Sequence, residues 1–231
     1  MGMMQRTKVL GWLIGMGLVA TSMHTLADQM TRPAAGVTRV VFNTPGELSV
    51  RPGAEEKLVV EAEAKVLAQL DVSVKGDTIT LASKGSFKTD KGLKYTLTIK
   101  SFRGLKTGAS GNSAIEGFSG TDVDVELGGS GDVGLRNMKA GRLAVLIKNS
   151  GNVEVTGSGK SVVARIDGSG SIDTTAYQAQ VVEAKIEGSG NIRVHADESL
   201  NAAIGGAGNI EYKGKAKVTQ AVTGAGNVGR I

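Results

Sequence analysis

From about residue 120 onward, aliphatic residues recur at alternate positions and the residues between them are mostly polar. Aligning the chain on a recurring glycine makes the columns visible. Four residues before it stand Leu127, Ile147, Ile166, Ile186, Ile204 and Val222. Six before stand Val125, Val145, Ala164, Ala184, Ala202 and Gln220, and eight before stand Val123, Leu143, Val162, Val182, Leu200 and Val218. Two after stand Val133, Val153, Ile172, Ile192, Ile210 and Val228, and four after stand Leu135, Val155, Thr174, Val194, Tyr212 and Arg230. A period of two predicts strands with one face buried. The intervening Asp124, Glu126, Glu154, Arg165, Asp167, Glu183, Lys185, Glu187 and Arg193 are expected to face solvent.

The aligning glycines are 111, 131, 151, 170, 190, 208 and 226, with successive gaps of 20, 20, 19, 20, 18 and 18 residues. Each sits in a motif of small residue, Gly, polar residue and aliphatic residue, as in Ser189-Gly190-Asn191-Ile192. A repeat of this length is too short for a strand-helix-strand crossover. It fits one coil of a β-solenoid, whose equivalent residues stack about 4.8 Å apart into continuous rows. The expected architecture is therefore all-β: a right-handed parallel β-helix of about seven short rungs with an N-terminal β cap. Each rung reads as strand, glycine corner, strand and connector. The connectors are placed at 137–141, 157–160, 176–180 and 214–215. The corner glycine is expected to supply a positive φ. Asn112, Asn152, Asn191, Asn209 and Asn227 are expected to bond rung to rung along the corner.

Both ends of the repeat are irregular. Gln220 and Arg230 replace aliphatics in the last copy, as a capping rung requires. Thr107 and Ser113 replace them in the first. Residues 36–101 have a different rhythm and read as the cap. Candidate strands are Val37–Phe42, Glu47–Arg51, Leu58–Ala62, Leu70–Lys75, Asp77–Ala82 and Leu93–Lys100, with turn signals at Pro45-Gly46, Pro52-Gly53 and Lys75-Gly76-Asp77. Ser83–Gly92 reads as a polar loop. Residues 36–231 are thus one domain, with Gly-Asn repeats from 102 to 231.

The first 27 residues form a separate unit. Arg6 and Lys8 precede an apolar run from Val9 to Ala20, and Thr25-Leu26-Ala27 suits signal peptidase. Residues 1–27 are expected to be a signal peptide and 28–35 an N-terminal tail. The apolar run is shorter than the roughly 20 residues of a spanning helix, so no integral membrane segment is expected after cleavage. Removing it takes away two of the 27 basic residues and none of the 22 acidic ones, leaving a net charge of +3. That mild balance lacks the clustered basic face of a nucleic-acid binder. No cysteine is present, which excludes disulfides and a lipid-modified N-terminal Cys. With 34 glycines and only 3 prolines, the composition favours tight turns over a disordered linker.

Candidate chemistry is sparse. Calcium-binding β-rolls use a repeat half this long and several carboxylates, whereas Asp132 is the one acid in the motif column. The Ser-Gly-Asn motif lacks the strand-to-helix elbow of a serine nucleophile. Its only histidine beyond the signal segment, His195, falls outside the columns at a solvent-facing position with no orienting partner. Asp124, Asp167, Glu187 and Glu211 could form an acidic face of a carbohydrate-active β-helix, but Lys148, Lys185, Arg165 and Arg193 interleave with them and predict charge pairing across rungs. Tyr177 and Phe118 are expected near connectors and exposed, too few for a sugar groove. No catalytic, cofactor-binding or metal-binding residue, and no cofactor, is assigned.

The repeated Gly-Ser-Gly-Asn-Ile, together with Val37–Ala82 and Tyr95–Lys100, resembles the putative autotransporter adhesin head GIN domain, a domain of unknown function. The resemblance covers residues 36 to 231. It implies a right-handed β-helix with an N-terminal β cap, and its name implies surface adhesion. Read as an end, Ile231 leaves no strands for a membrane barrel, so self-secretion by that route is not expected. The resulting expectation is a non-enzymatic β-solenoid, periplasmic or at the cell surface, with a structural or adhesion role. Its partner is unidentified, a surface glycan or an envelope protein being the candidates. The competing expectations are a carbohydrate-active or carbohydrate-binding β-helix and, behind it, a calcium-binding β-roll.

Overall fold

The computed structural model describes residues 28–89 and 92–231. The expected signal peptide, residues 1–27, lies outside them. The chain forms a β-solenoid of about six turns, against the seven expected. Its middle is built from four long strands: β11 (Val133–Ile147), β12 (Asn152–Ile166), β13 (Ser171–Ile186) and β14 (Asn191–Ile204). They pair in parallel and in the register that the columns require. Leu143 faces Val162, Val145 faces Ala164, and Ile147 faces Ile166. The next step repeats it with Val182, Ala184 and Ile186.

Each column lies inside the coil. Leu127, Ile147, Ile166, Ile186 and Ile204 are at most 1% exposed. Such a row removes apolar surface from water at about 25 cal/mol per Å², so each isoleucine contributes roughly 2 kcal/mol relative to exposure. Thr174 occupies an aliphatic column without penalty, because its hydroxyl donates to the carbonyl of Arg193 at 3.4 Å.

Three of the expected connectors, 137–141, 157–160 and 176–180, do not interrupt the strands, whereas 214–215 falls between two strands, Asn209–Lys213 and Lys217–Val222. β11, β12 and β13 run straight through those three, and the ladder shifts register there instead, as between Leu135 and Met138 and between Glu154 and Thr156. The positive φ also sits at this corner. Gly117 (φ 79°), Asn137 (54°), Gly157 (138°) and Gly214 (106°) occupy it, while no motif glycine has a positive φ. Glycine or asparagine is used there because other residues pay a steric cost in that conformation.

The motif glycines have a different reason. A Cβ on Gly131, Gly151, Gly170, Gly190, Gly208 or Gly226 would run into the carbonyl oxygen of the motif glycine one rung earlier. Gly188, Gly206 and Gly224, two residues before the motif glycine, stack in the same way. The corner is tight because successive backbones touch, so the column excludes side chains rather than selecting a special φ.

The N-terminal strands enter the stack out of order. β2 (Arg39–Phe42) lies between β6 (Thr78–Ser83) and β8 (Gly104–Thr107), all parallel. β3 (Glu47–Pro52) likewise lies between β7 (Lys94–Ile99) and β9 (Asn112–Glu116). β8 and β9 then join β10 (Ser119–Leu127) and β11. Residues 28–33, expected as a tail, form β1 (Asp28–Pro33), antiparallel to β4 (Lys57–Ala62). β4 is antiparallel to β7, and β5 (Leu70–Lys75) to β6. A single helical turn, α1 (Ala64–Leu67), buries Val66 between β4 and β5.

At the far end, β15 (Asn209–Lys213) and β16 (Lys217–Val222) follow β14, and β17 (Asn227–Arg230) follows β15. Gln220 and Arg230 are exposed on this last rung, as expected of it.

Aromatic residues fill the places where the coil is wide. Tyr177 and Phe118, expected outside, are 0% and 2% exposed. Their connectors turn them inward. The Tyr177 hydroxyl donates to the carbonyl of Ala140 at 3.2 Å, and Phe118 packs on Phe102 with ring centroids 5.6 Å apart. Phe42 meets Tyr95 edge to face at 5.4 Å. The Phe42 ring also explains the irregular first repeat. Phe42 pairs with Thr107 and lies 2.7 Å from where a Cβ on Gly111 would stand, which favours small side chains around it. Thr107 and Ser113 are both buried there.

Candidate functional site

The outward positions form two ladder faces, one on each side of the motif corner. The first carries the outer residues of β6, β2, β8, β10, β11 and β12 in two columns. One reads Thr78, Arg39, Gly104, Asp124, Ala144 and Val163. The other reads Thr80, Val41, Lys106, Glu126, Leu146 and Arg165. A shallow depression of about 470 Å³ opens over this face. Val41, Ala144, Leu146 and Val163 are half-buried aliphatics on what should be a polar surface. The alternation of the inner columns gave no sign of them.

Charge pairs border this patch. Asp124 sits between Arg39 at 3.6 Å and Arg142 at 3.2 Å. Glu126 sits between Lys148 at 2.8 Å and Lys106 at 3.2 Å. The hydrogen bond from Lys148, helped by Lys106, holds the Glu126 carboxyl below its ordinary range. Both are cross-rung pairings, as the sequence suggests: the partners of Glu126 come from the rungs on either side, whereas Arg39 reaches Asp124 from two strands away, across Gly104. Two other pairs form within one rung instead. Arg165 bonds Asp167 at 2.7 Å, which raises the guanidinium further, and Lys185 bonds Glu187 at 2.6 Å.

The second face carries the motif asparagines. Asp132 N donates to Asn112 Oδ1 at 2.9 Å, and Asn152 donates to Asp132 Oδ1 through N at 3.2 Å and Nδ2 at 2.9 Å. Asn209 donates to Asn191 Oδ1 through both nitrogens at 3.2 Å. The expected ladder therefore exists in two segments, separated by Ser171, and among the described residues it stops at Asn209: Asn227 is in register with Asn209 but no side-chain bond joins them. A polar depression of about 370 Å³ lies at and beyond that break, lined by Ser171, Asp173, Asn191, Arg193 and Glu211. Arg193 Nε donates to Glu211 Oε2 at 2.7 Å.

The four carboxylates weighed from the sequence are not brought together. Asp124 belongs to the first face, Glu211 to the second, and Asp167 and Glu187 follow the first face toward the motif corner. His195 is half-buried rather than solvent-facing, and Asp197 Oδ1 lies 3.3 Å from its Nε2, a partner the sequence reading did not name. The motif serines Ser130, Ser150, Ser169 and Ser189 are exposed at the corner. Among the described residues, no three of His, Cys, Asp and Glu converge on a metal-sized site. No helix among them is long and apolar enough to cross a membrane.

Comparison with known proteins bears on the fold and its class. No curated protein matches the chain. A solved structure of a putative adhesin from Bacteroides fragilis is 26% identical with a TM-score of 0.83, and the match covers 88% of this chain and 97% of that one. A putative adhesin from Parabacteroides merdae is 18% identical with a TM-score of 0.74, covering 90% and 97%. A putative lipid binding protein from Parabacteroides distasonis is 22% identical with a TM-score of 0.70, covering 90% and 98%. The last two likenesses show the fold alone. The family model for the putative auto-transporter adhesin, head GIN domain, matches residues 37–216, and the chain belongs to that family.

Proposed function

We propose that this chain is an exported, non-enzymatic β-solenoid that binds another macromolecule at the cell envelope, in the periplasm or on the surface. The apolar patch on the first ladder face carries this reading. A sheet that is already closed by rung-to-rung pairing has no folding need for Val41, Ala144, Leu146 and Val163 outside its core. Clustered apolar positions rimmed by polar and charged groups have the make-up of an interaction surface. The ion pairs at its border fix the orientation of a partner more than they add affinity. The family and the likeness to a putative adhesin support adhesion as the form this interaction takes. The pairing of Asp124, Asp167, Glu187 and Glu211 with cations supports a non-catalytic role, because a paired carboxylate is a poor general acid or base.

The test joins location and binding. The full-length chain should be recovered from the periplasm or cell surface on fractionation. The purified protein should be retained by cells or envelope preparations of the producing organism. A Leu146→Glu, Val163→Glu double variant should lose that retention with its melting temperature unchanged. Cytoplasmic recovery, or full retention of the double variant, would overturn the reading. So would turnover of a polysaccharide abolished by one carboxylate substitution.

A further inference from the structure

The serine at 171, the one described motif position without Asn or Asp, is the feature that folding does not explain. Every other described motif position from Asn112 to Asn227 carries Asn or Asp, and an Asn at 171 would join Asn152 to Asn191. Serine is too short to do so. Its place in register, between Asn152 and Asn191, leaves hydrogen-bonding groups unspent on either side. Among the described residues, Asn152 Oδ1 accepts nothing, and Asn191 uses its Oδ1 for Asn209 while its Nδ2 donates to nothing. Two residues along, Asp173 Oδ1 accepts from Thr175 N at 2.9 Å and Thr175 Oγ1 at 2.7 Å, which anchors the carboxylate and leaves Oδ2 unbonded. In the next rung Arg193 gives only Nε to Glu211.

We propose that the notch at Ser171, lined by Asp173, Asn191, Arg193 and Glu211 and bordered by Asn152 on the preceding rung, is a saccharide-binding site. The charges choose the ligand class. Arg193 is opposed by Asp173 and Glu211, so the local charge is small and a simple anion gains little. A bare cation wants several convergent carboxylate oxygens, and these do not converge. What the notch offers is a mixed array: an amide oxygen, a hydroxyl, a carboxylate oxygen, an amide N–H₂ and guanidinium N–H groups. A sugar hydroxyl donates and accepts at once, so neighbouring hydroxyls on one ring can be met by this mixture. The array is held on strands rather than loops, which limits the ordering cost of binding. The depression of about 370 Å³ gives such a ligand a seat. This goes beyond the interaction reading above, sits on the other ladder face, and can fail separately from it.

The test begins with the purified full-length protein on a printed array of neutral and acidic oligosaccharides, followed by calorimetric titration of the sugars retained. Ser171→Asn is the deciding variant. It should rejoin the two ladder segments, raise the melting temperature, and weaken saccharide binding by about tenfold or more, the scale of losing one or two good hydrogen bonds. Asp173→Ala should weaken binding similarly while leaving the fold intact. The Leu146→Glu, Val163→Glu variant should bind the sugar as the parent does. If the parent retains no oligosaccharide, or if Ser171→Asn binds as well as the parent, the proposal is wrong, and the apolar-face reading is untouched by either result.

Discussion

The carbonyl oxygen of Gly170 occupies the space into which a Cβ on Gly190 would project. The same oxygen accepts the backbone N–H of Asn191 at 3.2 Å, so the contact and the rung-to-rung bond are one arrangement. A methyl group at 190 would also press on Ile166 Cγ2, 2.9 Å from its position. Gly190→Ala should therefore destabilise by about 3 kcal/mol or more, the upper part of the overpacking range, because backbone and not a flexible side chain must move. Gly134 is the control. It lies outward with nothing within 4 Å of a Cβ and no positive φ. Gly134→Ala should be neutral or stabilising by up to about 1 kcal/mol. Urea midpoints of the two variants, at constant slope, check both.

Asn137 is the one non-glycine described residue with a positive φ, and it stands six residues after its motif glycine, as Gly117 and Gly157 do after theirs. Asn137→Gly should leave thermal stability close to the parent's. Asn137→Val should cost about 1–2 kcal/mol through its β-branched side chain in the left-handed region. Equal melting temperatures for the two variants would show that the corner can relax.

Ile166 is fully buried between Ile147 and Ile186 in the long row. Ile166→Ala should cost about 2–5 kcal/mol, depending on how far the neighbouring rungs close the gap. Ile166→Asp places an unpaired charge there and should prevent cooperative folding of the central coils. Circular dichroism melts distinguish a shifted transition from a lost one.

Glu126 makes one pH prediction. Its folded pKa is lowered, so its contribution is fully present above its unfolded value near 4.5 and is lost as pH falls through the folded value. The group is partly exposed, and solvent screening keeps the effect under about 1 kcal/mol. Glu126→Gln should flatten the stability profile below pH 4.5 by that amount. High salt should shrink the difference, since the Lys148 and Lys106 ammonium groups are about half exposed or more.

The central coils could be read from sequence because every rung repeats the same local rule. The Leu127 to Ile204 column, its two neighbours and the Asn ladder all fall where alternation places them. The reason for the motif glycine could not be read so directly. A positive φ and a close backbone contact both demand glycine, and only the stacked coordinates separate them. Alternation misplaces Tyr177 because a register shift in the connector reverses which way its side chain points, and Phe118 because it follows the left-handed turn at Gly117. The order of β6, β2 and β8 was not visible either. Pairing between strands distant in sequence leaves no periodic trace. Of the surface features, the apolar patch is legible only once β2, β8, β10, β11 and β12 are known to be neighbours. Ser171 stood in the sequence as a departure from Asn, but its consequence depends on what lies one rung above and below.

The position of β2 and β3 constrains how the molecule can be assembled. These strands come early in the chain, yet each is flanked by strands that come later on both sides. A regular solenoid can add coils in the order of synthesis, each new one templated by the last. Here β2 has no parallel neighbour until β6 and β3 none until β7, and the second flank of each is complete only with β8 and β9, the latter ending at residue 116; closing such long loops is slow compared with adding a coil beside β11, β12, β13 or β14. The coil is thus expected to start in its middle, and the end made first is the end completed last.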